Sequence, residues 1–361
     1  MQPLRHERAS AKGLIQLSRG TSNAIATRAG CRAVLSRLEF SYPLKLIAPR
    51  LPADHAPADA AAQEGASIAD LMIVYILSYG GGLISGDQIE LSIHVEAGCR
   101  LVALTQGSTK VFRSRSLQMD ASLCDRAMHP SADMTRQAMT VMVEPGGLFV
   151  LMPSTLTLFE RSSYAQVQQI KLSQIGGEPS SSASLVLLDW YTSGRSARGE
   201  NWAFDQLCME NIITLVGQDK HERLVAQDRL HLSIETPDMK SYLGCYQCFA
   251  TLFLAGPLVE AVLNSFEKEW DEERQWRCAR PQRLVWSFSW LESDKLSASQ
   301  TRLAASRIAT EPRDPVECLR IKLAVVRCAA VSSEEVKVWL ETRLALLAHV
   351  IGVDAYRAAF V

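Results

Sequence analysis

Apolar and polar residues alternate along much of the first two thirds of the chain. The alternation is strictest at positions 88–96, where every second residue is apolar: Ile89, Leu91, Ile93 and Val95. A period of two predicts a strand with one buried face. A turn at Ala97-Gly98 and a second apolar run at 101–104 follow, which predicts another strand directly afterwards.

A segment that begins at Val95 has a second copy that begins at Val143. VEAGCRLVALTQGST and VEPGGLFVLMPSTLT align Gly98 with Gly146 and Thr109 with Thr157. The offset is 48 residues, but a polar stretch at 114–133 looks like an insertion. Without it the period falls below about 30 residues, which is typical of one rung of a β-solenoid. A sandwich of two sheets would leave a similar trace.

Helical patterns are confined to the C-terminal third. Gly256-Pro257 ends an apolar strand and starts a helix, because proline suits the first helical position. The buried stripe of that helix is predicted to be Val259, Val262, Leu263, Phe266 and Trp270. A strand is predicted at 283–290 and a further helix around Pro315–Arg327. The last helix begins at the capping box Ser332-x-x-Glu335, with the apolar seam Val336, Leu340, Leu344 and Leu347.

These patterns predict a mainly β body with a helical cap. We divide the chain into an N-terminal tail at 1–12, a β-rich body at 13–240, and a C-terminal α/β portion at 241–361 that packs on the same domain. Three stretches rich in small and polar residues are predicted loops: 52–67, 114–133 and 173–184.

The composition of the chain excludes several classes of function. The 361 residues are 47% hydrophobic and 21% charged with a net charge of −1, so neither nucleic acid nor an anionic membrane is an expected partner. No apolar run approaches the ~18 residues of a membrane helix. Nine scattered cysteines without a secretory segment indicate a reducing, cytoplasmic setting. The first 35 residues are basic enough to suggest a transit peptide, but Glu7 and the strand-like run at 13–17 count against one.

The glycine-rich stretch YGGGLISGD at 79–87 raises the question of a phosphate site. P-loops and dinucleotide-binding loops both lead into a helix, whose N-terminus holds the phosphates. Here a strand follows, and the lysine of a P-loop is missing. We therefore predict a corner between two strands, in which Asp87 bonds nearby backbone amides, and we expect no nucleotide binding.

Other candidate chemistry is sparse. TQGSTKVFR at 105–113 holds a serine and a lysine, but no supporting motif, so a strand with Thr109 on its polar face is preferred. Cys245 and Cys248 form a CxxC without the second ligand pair that a structural zinc needs. The loop DWYTSGRSARGENW at 189–202 concentrates arginine, glutamate and tryptophan. It fits a binding surface and a β corner with an internal Arg–Glu pair equally well.

Several blocks in order resemble one family, the urease accessory proteins of the UreD/UreH type, in its eukaryotic form. They are FSYPLKLIAP, YGGGLISGD, LTQGSTKVFR, VEPGGLFVLMPSTLTLF, LLDWYTSGRSARGENW, TLFLAGP and IGVDAYRAAFV. The resemblance spans about residues 13–361. One departure concerns Leu151–Thr155, where the family commonly has Tyr-x-Pro-Asp-Pro and this chain lacks the acidic residue and the second proline.

The resemblance implies a β-solenoid body, right-handed and β-helix-like, with C-terminal α-helices. It implies a scaffold without catalytic residues that binds apo-urease and a UreF-type accessory protein, through which a UreG-type GTPase brings nickel. No tightly bound cofactor is expected, only transient Ni²⁺. Metal candidates on the polar face of the strand at 88–96 are Glu90, His94 and Glu96, whose alternative is simple solvent exposure.

The motif residues carried over as candidates for partner binding or an ion path are Gly81, Gly82, Gly86, Asp87, Thr109, Lys110, Asp189, Gly194, Arg195, Gly199, Glu200 and Trp202. Two other functions stay open. A sugar-acting enzyme on a β-solenoid would need two carboxylates across a cleft, and no such pair is evident. A β-rich interaction module unconnected to nickel would differ by failing to bind urease.

Overall fold

The computed structural model describes residues 10–20, 33–49, 71–114, 134–175, 181–235, 239–274, 282–291 and 320–361. Two β-sheets face each other, and helices cover the outer face of one of them. The strands of the described residues are β1 (Ser10–Arg19), β2 (Ala33–Phe40), β3 (Leu44–Ile47), β4 (Leu71–Ser78), β5 (Gln88–Val95), β6 (Arg100–Leu104), β7 (Thr109–Val111), β8 (Thr135–Val143), β9 (Leu148–Met152), β10 (Leu156–Leu158), β11 (Ser163–Ser173), β12 (Ser184–Thr192), β13 (Gly194–Arg195), β14 (Glu200–Asn201), β15 (Gln206–Val216), β16 (Glu222–Ser233), β17 (Cys248–Ala255), β18 (Leu284–Trp290) and β19 (Leu323–Ala330).

The helices lie mostly at the C-terminal end. They are α1 (Met239–Leu243), α2 (Glu260–Arg274), α3 (Ser333–Arg343), α4 (Ala348–Ile351) and α5 (Val353–Ala358). Short 3₁₀ turns occur at Tyr79–Gly81, Ser196–Arg198, Pro257–Val259 and Ala345–Leu347. None of the helices in the described ranges is long and apolar enough to cross a membrane.

Each sheet has a parallel centre and antiparallel edges. The seven-stranded sheet runs β16-β15-β11-β8-β5-β1-β2, and only its two outermost pairs are antiparallel. The ten-stranded sheet runs β18-β19-β17-β12-β9-β6-β4-β3, with β7 and β10 attached beside β12. Its parallel centre is β12, β9, β6 and β4. The chain alternates between the sheets, because β5, β8 and β11 belong to one and β6, β9 and β12 to the other.

This architecture confirms a mainly β protein with C-terminal helices. It does not confirm a β-solenoid, because antiparallel strands flank both parallel centres and the chain does not coil uniformly from end to end. The strands β17, β18 and β19 extend the ten-stranded sheet of the body. At the other terminus, β1 begins at Ser10, so its first three residues lie within the stretch predicted as a tail.

The internal repeat has a direct structural meaning. Val95 pairs with Val143 across parallel strands, and Leu101 pairs with Phe149, so both pairs keep the 48-residue offset. The offset then drops by one, since Thr157 pairs with Lys110 and not with Thr109. The connection from β9 to β10 is one residue shorter than the connection from β6 to β7, which accounts for the difference.

Two hydrophobic cores result from this layering. The inner core lies between the sheets and takes the apolar side of β5, including Ile89, Leu91, Ile93 and Val95. The outer core lies between the ten-stranded sheet and the helices, and takes the predicted stripes Val259, Val262, Leu263, Phe266, Val336, Leu340, Leu344 and Leu347. The predicted helix start is confirmed at Ser332, whose side chain accepts a hydrogen bond from the Glu335 amide at 3.3 Å, whereas the Glu335 side chain bonds Arg283 instead of completing a capping box.

One predicted helix is wrong. Residues Leu323–Ala330 form β19, which pairs with β17 on one side and β18 on the other. This strand is buried on both faces except at Arg327, so its sequence LAVVRCAA is an almost entirely apolar run with no period of two. The N-terminal part of that prediction, 315–319, lies outside the described residues, as do 1–9, 21–32, the whole loop predicted at 52–67, residues 115–133 of the second loop and 176–180 of the third.

The glycine-rich stretch is a corner, as predicted. It joins Ser78, the last residue of β4, to Gln88, the first of β5, and so carries the chain from one sheet to the other. Asp87 is buried, and its carboxylate accepts a hydrogen bond from the Ile84 amide at 2.8 Å. Gly86 has a φ of +85°, a conformation that other L-residues adopt only under strain.

We expect Gly86→Val to destabilise the protein. Valine at this φ costs ~1–3 kcal/mol, because a β-branched side chain crowds the backbone in the left-handed region. Urea unfolding should show a lower midpoint with the same dependence on denaturant. The control is Ile84→Val, which shortens an exposed neighbour and should change the stability by less than ~0.5 kcal/mol. Equal stability of both variants would contradict the strained corner.

Candidate functional site: a polar cluster between the sheets

Polar side chains interrupt the inner core in one region. On the seven-stranded sheet, Gln168 of β11 pairs with Asn211 of β15, and Asn211 pairs with Asp228 of β16, so the three form one row. On the ten-stranded sheet, Asp189 of β12 pairs with Thr251 of β17, which pairs with Arg327 of β19. The register therefore places two polar rows on the sheets that enclose the core.

Asp189 is the centre of this polar cluster. Its side chain is buried, and its carboxylate accepts two contacts from the Gln166 amide nitrogen, at 3.0 and 3.1 Å, and one from Asn211 Nδ2 at 3.0 Å. Gln166 also contacts the hydroxyl of Tyr164 at 2.9 Å, and that hydroxyl bonds Gln137 of β8. Side chains from two strands of the facing sheet, β11 and β15, thus hold the carboxylate directly, and Tyr164 extends the network to Gln137 of β8.

Burial changes the acidity of the cluster. Desolvation raises the pKa of Asp189 to about 6, although hydrogen bonds from Asn211 and Gln166 work in the opposite direction. The nearby charge of Asp228 adds to the increase. Desolvation and the charge of Asp189 also raise the pKa of the Tyr164 hydroxyl, which therefore stays protonated. At neutral pH the cluster holds one negative charge that is only partly compensated.

Two buried oxygen atoms beside this charge lack hydrogen-bond partners in the described part of the chain. They are Oε1 of Gln168 and Oδ1 of Asn211, on residues whose exposed fraction is only 3% each. Such atoms are costly unless water or an ion satisfies them. Gln168, Gln166 and Asp189 line a cavity of about 100 Å³, large enough for water molecules.

The lining of the cavity combines one carboxylate with neutral oxygen atoms of amide and hydroxyl groups. Carboxylate and amide oxygens bind hard or borderline cations that keep part of their water shell. No group of three or more histidine, cysteine, aspartate or glutamate side chains converges among the described residues.

The segment Leu151–Thr155, where this chain departs from the family motif, contributes residues to the wall of the same cavity. Pro153 and Ser154 line it, together with Thr105 and Thr109. The Ser154 amide donates to Thr105 Oγ1 at 2.7 Å, which fixes this part of the wall. Where the family pattern would place an acidic residue, the cavity wall here carries a hydroxyl.

The three residues predicted as metal candidates lie elsewhere. Glu90, His94 and Glu96 project from the outer face of the seven-stranded sheet, away from the cavity. Glu90 lies 3.7 Å from Lys12, and His94 Nε2 lies 2.9 Å from the Glu144 carboxylate. Glu96 accepts a hydrogen bond from the Ser18 hydroxyl at 2.8 Å. Each has a different partner, so the structure does not bring the three together.

The corner and β7 form one unit. The Leu83 amide donates to the Lys110 carbonyl at 2.7 Å, and Gly82 is packed so tightly that an added Cβ would lie 2.7 Å from the same oxygen. Gly81, in contrast, is exposed with nothing near its missing Cβ. On β7, Thr109 lines the cavity, whereas the side chain of its neighbour Lys110 is exposed.

The loop at 194–202 contains the internal ion pair that the sequence left open. Arg195 Nε donates to a Glu200 carboxylate oxygen at 2.7 Å, and a second guanidinium nitrogen contacts the other oxygen. The Arg195 guanidinium also lies 3.9 Å from the centre of the Phe159 ring. Hydrogen bonds from Arg195 lower the pKa of Glu200. Trp202 is buried between Phe204 and Phe249, so it anchors the end of the loop.

A family model described as "UreD urease accessory protein" matches residues 19–359. The chain belongs to the UreD urease accessory protein family. It is 32% identical over 281 residues to "Urease accessory protein 4" of Cryptococcus neoformans, which covers 74% of this chain and 80% of that protein. "Urease accessory protein D" of Arabidopsis thaliana is 28% identical over 341 residues, 93% and 99% of the two chains.

Bacterial relatives match as well. "Urease accessory protein UreD" of Sorangium cellulosum is 32% identical over 238 residues, which is 66% of this chain and 62% of that protein. The resemblance drawn from the sequence blocks is therefore confirmed, including its eukaryotic relatives.

Sequence reasoning identified Asp189 but missed the side chains that surround it. Gln137, the pair Gln166 and Gln168, and Asn211 come from three separate parts of the sequence, and none belongs to a motif. One signal was available, since Tyr164, Gln166 and Gln168 occupy every second position of β11 and hence share its inner face. Polar residues on a face that continues as Ile170 and Leu172 indicate a polar site inside the core.

We expect Arg195→Ala to lower stability moderately. Exposed ion pairs are worth ~0–1 kcal/mol and breaking a buried pair costs ~3–5 kcal/mol. The side chains of Arg195 and Glu200 are 28% and 17% exposed, so we expect a loss of ~1–3 kcal/mol. Thermal unfolding of Arg195→Ala and of the exposed control Arg198→Ala should differ accordingly. Unchanged melting of both, with impaired urease activation, would favour a docking role for the loop.

Proposed function

We propose that this chain is a maturation factor for urease and not an enzyme. It would bind apo-urease and an F-type accessory protein, which brings a G-type GTPase, so that nickel enters the urease active site. The observation that supports this most strongly is the family match across residues 19–359. We place this activity in the cytoplasm, where the partners and the reduced cysteines would be found.

Nickel is cargo in this proposal, and the polar cluster is the part of the chain that would handle it. Asp189 supplies negative charge where apolar side chains otherwise exclude water. The unpartnered oxygen of Gln168, which lines the cavity, would replace part of the water shell of the ion. Because only one carboxylate lines the cavity, the ion would be held weakly enough to pass on.

The two polar rows suggest a direction for the ion. Asp228 and Arg327 face a wide cleft of about 1150 Å³ at one side of the molecule, and they pair across the sheets at 2.8 Å. The row continues inward through Asn211 to Asp189. From there the cavity extends to Thr109 and Ser154 near the other side. An ion would thus enter at one cleft and meet oxygen ligands along the interior.

Copurification tests the scaffold role directly. Affinity-tagged chain should retain apo-urease and the F-type protein from the same organism when the three are coexpressed, and the G-type GTPase only when the F-type protein is present. A β-rich interaction module unrelated to nickel would retain neither apo-urease nor the F-type protein. Retention of neither partner, with the tagged chain folded by circular dichroism, would contradict the proposal.

A further inference from the structure

A groove of about 590 Å³ crosses the helical cap between α2, β18 and α3. Its lining residues are Glu269, Leu284, Glu334, Glu335, Val338, Trp339, Thr342 and Arg343. The groove lies on the helices and β18, whereas the polar cluster and its cavity lie between the two sheets. Nothing in the route proposed for nickel uses it.

The charge of the groove is negative. Arg343 is compensated twice, because its guanidinium pairs with both Glu269 and Glu273. Glu335 pairs through one oxygen with Arg283. Glu334 is exposed and has no ion-pair partner within the described ranges. Three carboxylates therefore line the groove beside one guanidinium group that is already paired, and an occupant with positive charge is favoured.

The floor of the groove is apolar, and two buried polar atoms beside it lack hydrogen-bond partners in the part of the chain that the structure describes. Val338 is 53% exposed, although it lies beside Leu284 and Trp339. The indole nitrogen of Trp339 and the second carboxylate oxygen of Glu335 have no hydrogen-bond partners among the described residues. A ligand that brings an acceptor to the indole and a cationic donor to the carboxylate, after a small side-chain rotation, would relieve both costs.

We propose that this groove binds a basic segment of a protein partner, in which lysine or arginine side chains flank an apolar anchor. The anchor would cover Val338 and Leu284, and the cations would meet Glu334 and Glu335. We assign the segment to the F-type accessory protein, and only that assignment rests on the proposed function. An acidic segment is disfavoured because it would place like charges beside Glu334.

A peptide titration tests the chemistry of the groove without any partner protein. The probe is a fluorescent ten-residue peptide with two central leucines flanked by four lysines, measured by anisotropy against the full chain. The double variant Glu334→Gln/Glu335→Gln should weaken binding by about tenfold, as expected for two ion pairs of ~0.5–1 kcal/mol each. The control Glu341→Gln removes an exposed charge from α3 outside the groove lining.

Three results of the titration would overturn the inference. They are equal binding by the double variant and the control, absence of binding to the wild-type chain, and tighter binding of a matched peptide with glutamates in place of the lysines. Circular dichroism verifies that each variant is folded, and Glu334→Gln alone, at an exposed position, preserves the test if the double variant is not.

A second arm identifies the partner. Val338→Lys puts a cation on the groove floor, while Val353→Lys makes the same change at a position on α5 that is 52% exposed. Copurification of the F-type protein should be lost with Val338→Lys and kept with Val353→Lys, with apo-urease retained by both. Retention of the F-type protein by both variants, loss of urease instead, or a self-dimer that Val338→Lys disrupts would each overturn the assignment. If the wild-type chain binds neither protein, the proposed function fails and the peptide titration alone decides the groove.

Discussion

Replacing Asp189 with asparagine should make the protein more stable at neutral pH and much less able to load urease with nickel. Asparagine has nearly the same shape but carries no charge, so the desolvation cost of a buried carboxylate disappears. The amide can keep its neighbours satisfied, because Asn211 has an unpartnered oxygen that can turn to accept from it. A stabilising change that abolishes function is the signature of a charge retained for its activity.

The pH dependence of stability should change in the same variant. The pKa of Asp189 is about 6 in the folded protein and 3.8 in the reference state, so the folded protein binds the proton more tightly. Stability from this group is therefore fully present below pH 3.8 and is lost as the pH rises through 6. A difference of about two pKa units corresponds to ~3 kcal/mol. We expect Asp189→Asn to be ~1–3 kcal/mol more stable than wild type at pH 7.

Urea unfolding at pH 4 and pH 7 measures this effect. The gap between Asp189→Asn and wild type should be small at pH 4 and larger at pH 7. The exposed Asp219→Asn is the control and should show no such gap. The functional measurement is the nickel content of urease that was matured with each variant. Lower stability of Asp189→Asn at pH 7, or full nickel loading, would contradict the role assigned to the buried carboxylate.

Gly194→Ala should be among the most damaging single changes for folding. Gly194 has a φ of +127°, and a Cβ built there would overlap the carbonyl oxygen of Glu200 and lie 3.1 Å from that of Leu158. Both obstacles are backbone atoms, so no side-chain rotation removes the overlap. Strain of ~1–3 kcal/mol and forced displacement of similar size add to several kcal/mol.

Gly199 offers a matched control in the same loop. It has a φ of +74° but nothing within 4 Å of its missing Cβ, so Gly199→Ala meets only the backbone strain. We expect ~1 kcal/mol for that change and at least twice as much for Gly194→Ala. Thermal unfolding of the two variants separates steric overlap from strain. Similar melting temperatures would show that the hairpin of β13 and β14 shifts freely around position 194.

Elements with one buried face could be predicted from the sequence. β5 alternates because only one of its sides meets the inner core, and α2 shows its stripe because one side meets the ten-stranded sheet. β19 has apolar neighbours on both sides, so its pattern carries no period and a helix was predicted instead. The repeat at Val95 and Val143 indicates equivalent segments, which pair in parallel in the structure. The antiparallel edge strands, which distinguish this fold from a β-solenoid, are not part of the repeat.

The polar cluster could be predicted only in part. Asp189 stands at the start of a family block, and the resemblance alone drew attention to it. Its partners Gln166 and Asn211 lie 23 and 22 residues away along the chain, on strands of the other sheet. No fixed spacing connects them, because their contact depends on how the two sheets stack. The Arg195–Glu200 pair, five residues apart, could be foreseen because a hairpin brings such neighbours together.

The central claim is that this chain enables nickel to reach urease. The measurement is the nickel content per urease subunit, by elemental analysis of urease purified from a urease-positive host whose own copy of the gene is deleted. We expect urease without nickel in the deletion strain, nickel-loaded urease when this chain is restored, and nickel-poor urease when the Asp189→Asn chain is restored at equal abundance. Full nickel loading in the deletion strain, under ordinary nickel supply, would contradict the account.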